Sequence, residues 1–379
     1  MKKTLIALAA VAATGASFAQ VTMSGQLGFS WQQSPAVVAS AAGQHVQGFS
    51  IQDGEIYITA TEDLGDGWKA TARGGFTMRG RGNGVADRDA TVSLTTPFGV
   101  LTTGALRSCG SINAQMSGVV TGTVYSSNES NNSVPLDKCS IIDVVTFSTK
   151  LADATVSVSY GEFEGGATAL NSNERGNPLG VTFYALGAEY PIGPLTLGGD
   201  WTNFGAVTVN TVATSATGTT ATATGALFVP VDGKNRYRMY AKYDAGFAKF
   251  AGGYQVKDLA ADQYVASVAV PYGNFVFGLD YMGRGEQTTV PKNAAEAGMG
   301  YALSGSRLGD KASSALGLGA TYNLSKTTNV NASYITYTDA GANSKYAAGT
   351  AASALGVNAV GTTPAQLDTE YRIRLLKTF

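Results

Sequence analysis

Two-residue alternation of apolar and polar side chains, repeated along almost the whole chain, limits the fold more than any other feature. Successive side chains on a strand point to opposite faces. Val21, Met23, Gly25, Leu27, Phe29 and Trp31 therefore share one face, and Thr22, Ser24, Gln26 and Ser30 share the other. The same text recurs where Trp68, Ala70, Ala72, Gly74, Phe76 and Met78 oppose Lys69, Thr71, Arg73, Gly75 and Thr77. It closes the chain, with Tyr371, Ile373, Leu375 and Phe379 against Glu370, Arg372, Arg374 and Leu376. Short turns such as Glu62-Asp63-Leu64-Gly65-Asp66-Gly67, Ala152-Asp153 and Gly273-Asn274 alternate with long connections, among them 32–50, 108–140, 162–178, 205–229, 285–313 and 339–367. Segments of about ten alternating residues, joined in this rhythm, number about sixteen and predict an all-β, antiparallel, up-and-down transmembrane barrel.

The chemistry of the two faces separates a barrel from a sandwich. One face carries Tyr, Phe or Trp near the strand ends, with Ala, Val, Leu or Gly between, which suits aromatic girdles around a lipid-facing band. The opposite face holds Lys69, Arg73, Arg238, Lys242, Asp280, Arg372 and Arg374. Unpaired charges of this kind cannot sit in a dry core. On a sandwich they would form the wet outer face, but a sandwich gives no reason for short and long connections to alternate. Near sixteen strands, the enclosed space is an aqueous channel, and lipid demands that the sheet close so that no backbone group is left unpaired.

Composition narrows the setting. Met1-Lys2-Lys3, an apolar run from Thr4 to Ala13 and the small-residue end Ala16-Ser17-Phe18-Ala19 read as a secretory signal over 1–19, leaving one barrel domain over 20–379. Without Lys2 and Lys3 the 26 basic residues fall to 24, against 27 acidic ones, so there is no basic excess for nucleic acid. In an oxidising space the two cysteines, Cys109 and Cys139, are expected to form a disulfide. His45 is the only histidine. With no metal-ligand spacing and no nucleophile elbow, the sequence predicts neither a cofactor nor an enzyme.

The chain resembles the general, non-specific porins of Gram-negative bacteria, in their β-proteobacterial branch. The resemblance covers the mature chain and rests on Val21-Thr22-Met23-Ser24-Gly25, Glu62-Asp63-Leu64-Gly65-Asp66-Gly67-Trp68-Lys69-Ala70, Pro97-Phe98-Gly99-Val100-Leu101-Thr102-Thr103-Gly104 and the terminal Phe379. It implies a homotrimer of sixteen-stranded barrels in the cell outer membrane, in contact with its lipid. It also implies a third loop, here 108–140, folded into the pore, and a terminal Phe379 read by the outer-membrane assembly machinery. The chain departs from the family at Ala105, where an Arg is usual, and at Glu55, where an inward Arg is common.

The implied mechanism is passive diffusion of small hydrophilic solutes and ions, with selectivity set by constriction size and wall charge. Counting faces by alternation gives a basic wall that includes Lys69, Arg73, Arg107, Arg238, Arg372 and Arg374, with Glu55 among its acids. Arg73, Arg107 and Arg238 are expected to face Glu129 and Asp137 of the inserted loop, giving a transverse field and modest anion selectivity. The alternative is a substrate-specific channel, which would carry an aromatic slide or a dedicated ladder of binding residues.

Overall fold

The computed structural model describes residues 20–33, 47–78, 86–109, 139–163, 182–205, 207–211, 227–231, 234–258, 261–286, 288, 312–338 and 369–379. In chain order the strands are β1 (Gln20–Gln33), β2 (Gln47–Gly65), β3 (Trp68–Thr77), β4 (Ala86–Thr96), β5 (Gly99–Cys109) and β6 (Cys139–Leu151). They continue as β7 (Ala154–Phe163), β8 (Thr182–Ile192), β9 (Leu195–Phe204), β10 (Val207–Thr211), β11 (Leu227–Val231) and β12 (Lys234–Asp244). The last six are β13 (Lys249–Lys257), β14 (Gln263–Tyr272), β15 (Phe275–Arg284), β16 (Ser313–Asn323), β17 (Thr328–Thr338) and β18 (Thr369–Thr378). Sixteen of them close into one antiparallel barrel, while β10 and β11 form a separate ribbon between β9 and β12. That ribbon falls in the Thr/Ala/Val-rich stretch that the sequence marks as a long connection.

Closure is made by the two ends of the barrel chain. β18 lies antiparallel to β1, with Lys377 opposite Leu27 and Tyr371 opposite Gln33. Phe379 extends this ladder by one pair. Its N–H donates to the Gly25 carbonyl at 3.1 Å, and the Gly25 N–H donates to the Phe379 carbonyl at 2.9 Å. A Cβ at Gly25 would lie 2.9 Å from Phe379 Cζ, so this glycine leaves the notch that the terminal ring fills. Pairing β18 with β1 leaves the sheet no open edge, which is the condition for strands to cross lipid.

The outer face is apolar and has two aromatic belts. Trp68, Phe98, Tyr190, Tyr243, Tyr272 and Phe379 lie exposed on the side of the short turns, where both ends of the barrel chain also lie. Tyr184, Tyr237, Tyr254 and Tyr281 lie exposed towards the long connections. Leu101, Val145, Leu186, Leu197, Met239 and Leu318 are exposed between the belts. Acids interrupt the pattern on β6 and β7. Asp143 and Glu162 are direct cross-strand partners on the outer face near the long-connection end, and the Tyr160 hydroxyl donates to Glu162 Oε1 at 3.0 Å.

The short turns follow local chemistry. Tyr272 pairs with Phe275 across Gly273-Asn274, with Gly273 at φ 57°, as a two-residue hairpin with glycine first requires. The equivalent place between β6 and β7 is taken by Ala152 at φ 54°, a left-handed conformation that costs a residue with a Cβ. Several boundaries differ from the sequence expectation, two of them at polar stretches. β2 begins at Gln47, so part of the expected 32–50 loop is strand, and β7 runs to Phe163 and takes in Glu162. In both cases polar residues near the rim stay in the ladder because the neighbouring strand supplies backbone partners there, which composition does not register. The signal segment 1–19, His45 and residues 110–138 of the third loop, with Glu129 and Asp137, lie outside the described residues.

Candidate functional site: the wall of the barrel lumen

The inner face is built by the same alternation that makes the outer one. On β18, Tyr371, Ile373 and Leu375 are exposed while Glu370, Arg372 and Arg374 are buried. On β12, Arg236, Arg238, Tyr240 and Lys242 alternate with exposed Tyr237, Met239 and Tyr243. Lys69 and Arg73 on β3 and Glu55 on β2 also lie inside, in step with Thr59, Thr61 and Thr71. Lys69, Arg73, Arg238, Arg372, Arg374 and Glu55 therefore take the inward positions the sequence predicts.

The Arg107 side chain lies outside the described residues. The β5–β6 register runs unbroken from Val100 to Cys109. Thr102 points inward, its hydroxyl sharing a 2.9 Å hydrogen bond with Ser93. Leu101, one residue earlier, is exposed to the outside. The inward position that sequence reading missed on the neighbouring strand is Lys150, in step with Thr146 and Ser148 on β6. Its signal was present in the plain alternation of that strand.

Most of the wall cations whose partners are described are tied to acids on the adjacent strand or on the strand beyond it. Arg238 Nε meets Asp200 Oδ2 at 2.7 Å, and Arg236 Nη2 meets Oδ1 of the same carboxylate at 3.5 Å. Lys242 Nζ lies 3.0 Å from Glu189 Oε2, which also accepts the Tyr240 hydroxyl at 2.8 Å. Tyr240 reaches Glu189 across Gly198, which sits between them in register and has no side chain to block the ring. Lys249 pairs with Asp244 at 3.4 Å near the short-turn rim. Arg374 Nη1 meets Asp53 Oδ2 at 2.8 Å, passing over Gly28 of β1. Asp53 is a second residue the sequence reading missed, because it lies just before the segment recognised as strand. A β2 register shift opposite Gly28 and Phe29 leaves Asp53 on the inner face.

Three wall cations differ. Among the described residues, Lys69, Arg73 and Lys150 have no carboxylate partner, and all three lie on the β3–β6 side. The contact described for Arg73 is with an aromatic ring: its Cζ lies 3.8 Å from the Tyr57 ring centroid. The wall between these cations is lined by hydroxyls, with Ser93–Thr102 and Thr146–Ser159 hydrogen-bonded at 2.9 and 2.8 Å. Asp63, opposite Lys69 in the β2–β3 ladder, and Asp89 on β4 are the acids near these cations, whereas the charges of the β8–β12 side are paired with one another.

Cys109 and Cys139 are direct partners in the β5–β6 ladder. Opposite residues of an antiparallel pair have Cα atoms about 4.5–5.5 Å apart, inside the range a disulfide spans. Among the described residues, no group of three or more His, Cys, Asp or Glu side chains could hold a metal ion.

The model of the Gram-negative porin family matches residues 4–360. No curated protein matches the sequence. Among solved structures, the barrel is similar to a loop L8 deletion mutant of OmpT, an outer membrane protein of Vibrio cholerae, with TM-score 0.57 and 12% identity over 95% of this chain and 99% of that one. It is also similar to OmpT in its trimer form, with TM-score 0.58 and 12% identity over 96% of this chain and 100% of that one. A triple mutant of the Rhodopseudomonas blastica porin gives TM-score 0.54 and 11% identity over 95% of this chain and 100% of that one. At such identities the likeness is one of fold.

Proposed function

The chain belongs to the Gram-negative porin family, and on that premise we propose that this outer-membrane channel is a general diffusion pore with modest anion selectivity. The observation that carries the selectivity is the trio Lys69, Arg73 and Lys150, which have no carboxylate partner among the described residues. A charge already paired within the wall presents a dipole to a passing ion, and a dipole's field falls off faster than that of a lone charge. Arg238 and Arg374 therefore contribute less than their number suggests, because Asp200 and Asp53 stand against them. Lone cations about a Debye length or less from the permeation path raise the local anion concentration.

The remaining parts of the reading follow from the family. Residues 1–19 are a signal removed on export. The connection between β5 and β6 is the counterpart of the family's constricting loop, with Glu129 and Asp137 as its acids. Cys109 and Cys139 join as a disulfide at the base of that loop, and three barrels assemble as a general porin of the β-proteobacterial kind. Phe379 serves recognition by the assembly machinery, a role for which its place at the free end of the closing strand suits it.

The test is the reversal potential of the purified protein in a planar bilayer under a KCl gradient. An anion-selective sign is expected, and a cation-selective sign overturns the proposal. A saturable block of the ion current by one solute would assign the chain instead to the substrate-specific channels.

A further inference from the structure

Tyr57 is an aromatic residue on the water-facing side of a barrel whose aromatics otherwise serve mainly the lipid face. Its neighbours give it a specific task. Tyr57 on β2 lies opposite Gly75 on β3, while Arg73 lies opposite Thr59. Tyr57 and Arg73 are thus diagonal neighbours on the inner face, a spacing that long and aromatic side chains bridge. Gly75 offers no side chain to compete for the ring, and the Arg73 guanidinium carbon comes to 3.8 Å from the ring centroid. At its far end the Tyr57 hydroxyl donates to Glu55 Oε2 at 3.4 Å, and Gln26 Nε2 approaches the same oxygen at 3.5 Å. The ring therefore has its hydroxyl on a carboxylate and its face on a cation.

We propose that Tyr57 is a positioning residue for selectivity, holding Arg73 as a fixed lone charge on the wall and keeping it from moving towards Glu55. This deepens the anion-selective reading and rests on it. An arginine on a wet wall has many rotamers and averages its charge over a wide volume. Stacking on an aromatic face favours one arrangement by roughly two- to fivefold at a partly exposed site. The ring carries no net charge, so it fixes the guanidinium without neutralising it as a carboxylate would. Arg238, held on Asp200, shows the other way of fixing an arginine, in which the fixed charge is cancelled. The bound face leaves the guanidinium's remaining N–H groups to the water and to small anions such as chloride, carboxylates or inorganic phosphate.

The experiment measures reversal potentials in planar bilayers under a KCl gradient for the full-length protein and for Tyr57→Phe, Tyr57→Leu, Arg73→Gln and the double variant Tyr57→Leu/Arg73→Gln. Tyr57→Gln stands in if the leucine variant does not fold, and folding is checked by heat-modifiable migration. Tyr57→Phe keeps the ring and should keep the wild-type anion-to-cation permeability ratio. Tyr57→Leu should lower that ratio by roughly 1.5- to twofold, and Arg73→Gln by roughly two- to threefold, as expected for a partly screened single charge near the path. In the Arg73→Gln background, Tyr57→Leu should change nothing further. The proposal is overturned if Tyr57→Leu behaves as wild type, if Tyr57→Phe shifts the ratio as much as Tyr57→Leu does, or if Tyr57→Leu acts equally without Arg73. The sign of the wild-type potential tests anion selectivity itself. The differences among the Tyr57 variants test the positioning role, so the two can fail separately.

Discussion

Gly28→Ala should weaken this barrel by breaking an ion pair in which Gly28 takes no part. Asp53 and Arg374 belong to β2 and β18, with β1 between them, and their 2.8 Å contact crosses directly over Gly28. A Cβ built there would lie 2.5 Å from Asp53 Oδ2 and 3.0 Å from Asp53 Cβ, so the carboxylate must rotate away and leave Arg374. The two side chains are 9% and 16% exposed, which makes the pair largely buried. At an effective dielectric of about 20, the gross attraction at this separation is roughly 6 kcal/mol. Desolvation offsets much of it, and losing one partner of such a pair costs about 2–4 kcal/mol, the wet lumen keeping it towards the low end. The measurement is a guanidinium titration of the refolded protein in detergent, followed by tryptophan fluorescence and compared at equal incubation times, because barrels often unfold irreversibly. Gly28→Ala and Asp53→Ala should each lower stability by about 2–4 kcal/mol. In the Asp53→Ala background, Gly28→Ala should cost less than about 1 kcal/mol, since there is no longer a carboxylate to displace. Equal cost in the two backgrounds would refute the mechanism, because the added methyl would then be acting on something other than the pair.

Ala152→Gly should stabilise the barrel by about 1 kcal/mol, because glycine takes the left-handed φ of this turn without a Cβ penalty, and the guanidinium midpoint should rise accordingly. Replacing Cys109 and Cys139 together by serine should lower stability by roughly 3–4 kcal/mol on the chain-entropy account of a loop this long, and thiol titration of the unreduced, denatured wild type should find no free thiol.

The sequence by itself determined the architecture and most of the wall. Period two is a property of the extended backbone, so the lipid face and the lumen face of β12 or β18 can be read from Arg236 to Tyr243, or from Glu370 to Leu375, without a structure. Turn chemistry placed Gly273-Asn274 and Ala152-Asp153, and the alternation of short and long connections gave the count of sixteen strands that the barrel has. Other features were not legible. Asp53 sits beside a register shift, where counting from either side gives conflicting faces. Which cation pairs with which acid depends on strand stagger, on the barrel's closure and on glycines such as Gly28 and Gly198 that let a side chain reach past its nearest neighbour. Only the tertiary structure brings Asp53 to Arg374, 321 residues apart in the chain, and leaves Arg73 resting on a ring instead of a carboxylate. Alternation is local and survives in the sequence, whereas partner choice across a closed sheet is set by geometry that no single strand contains.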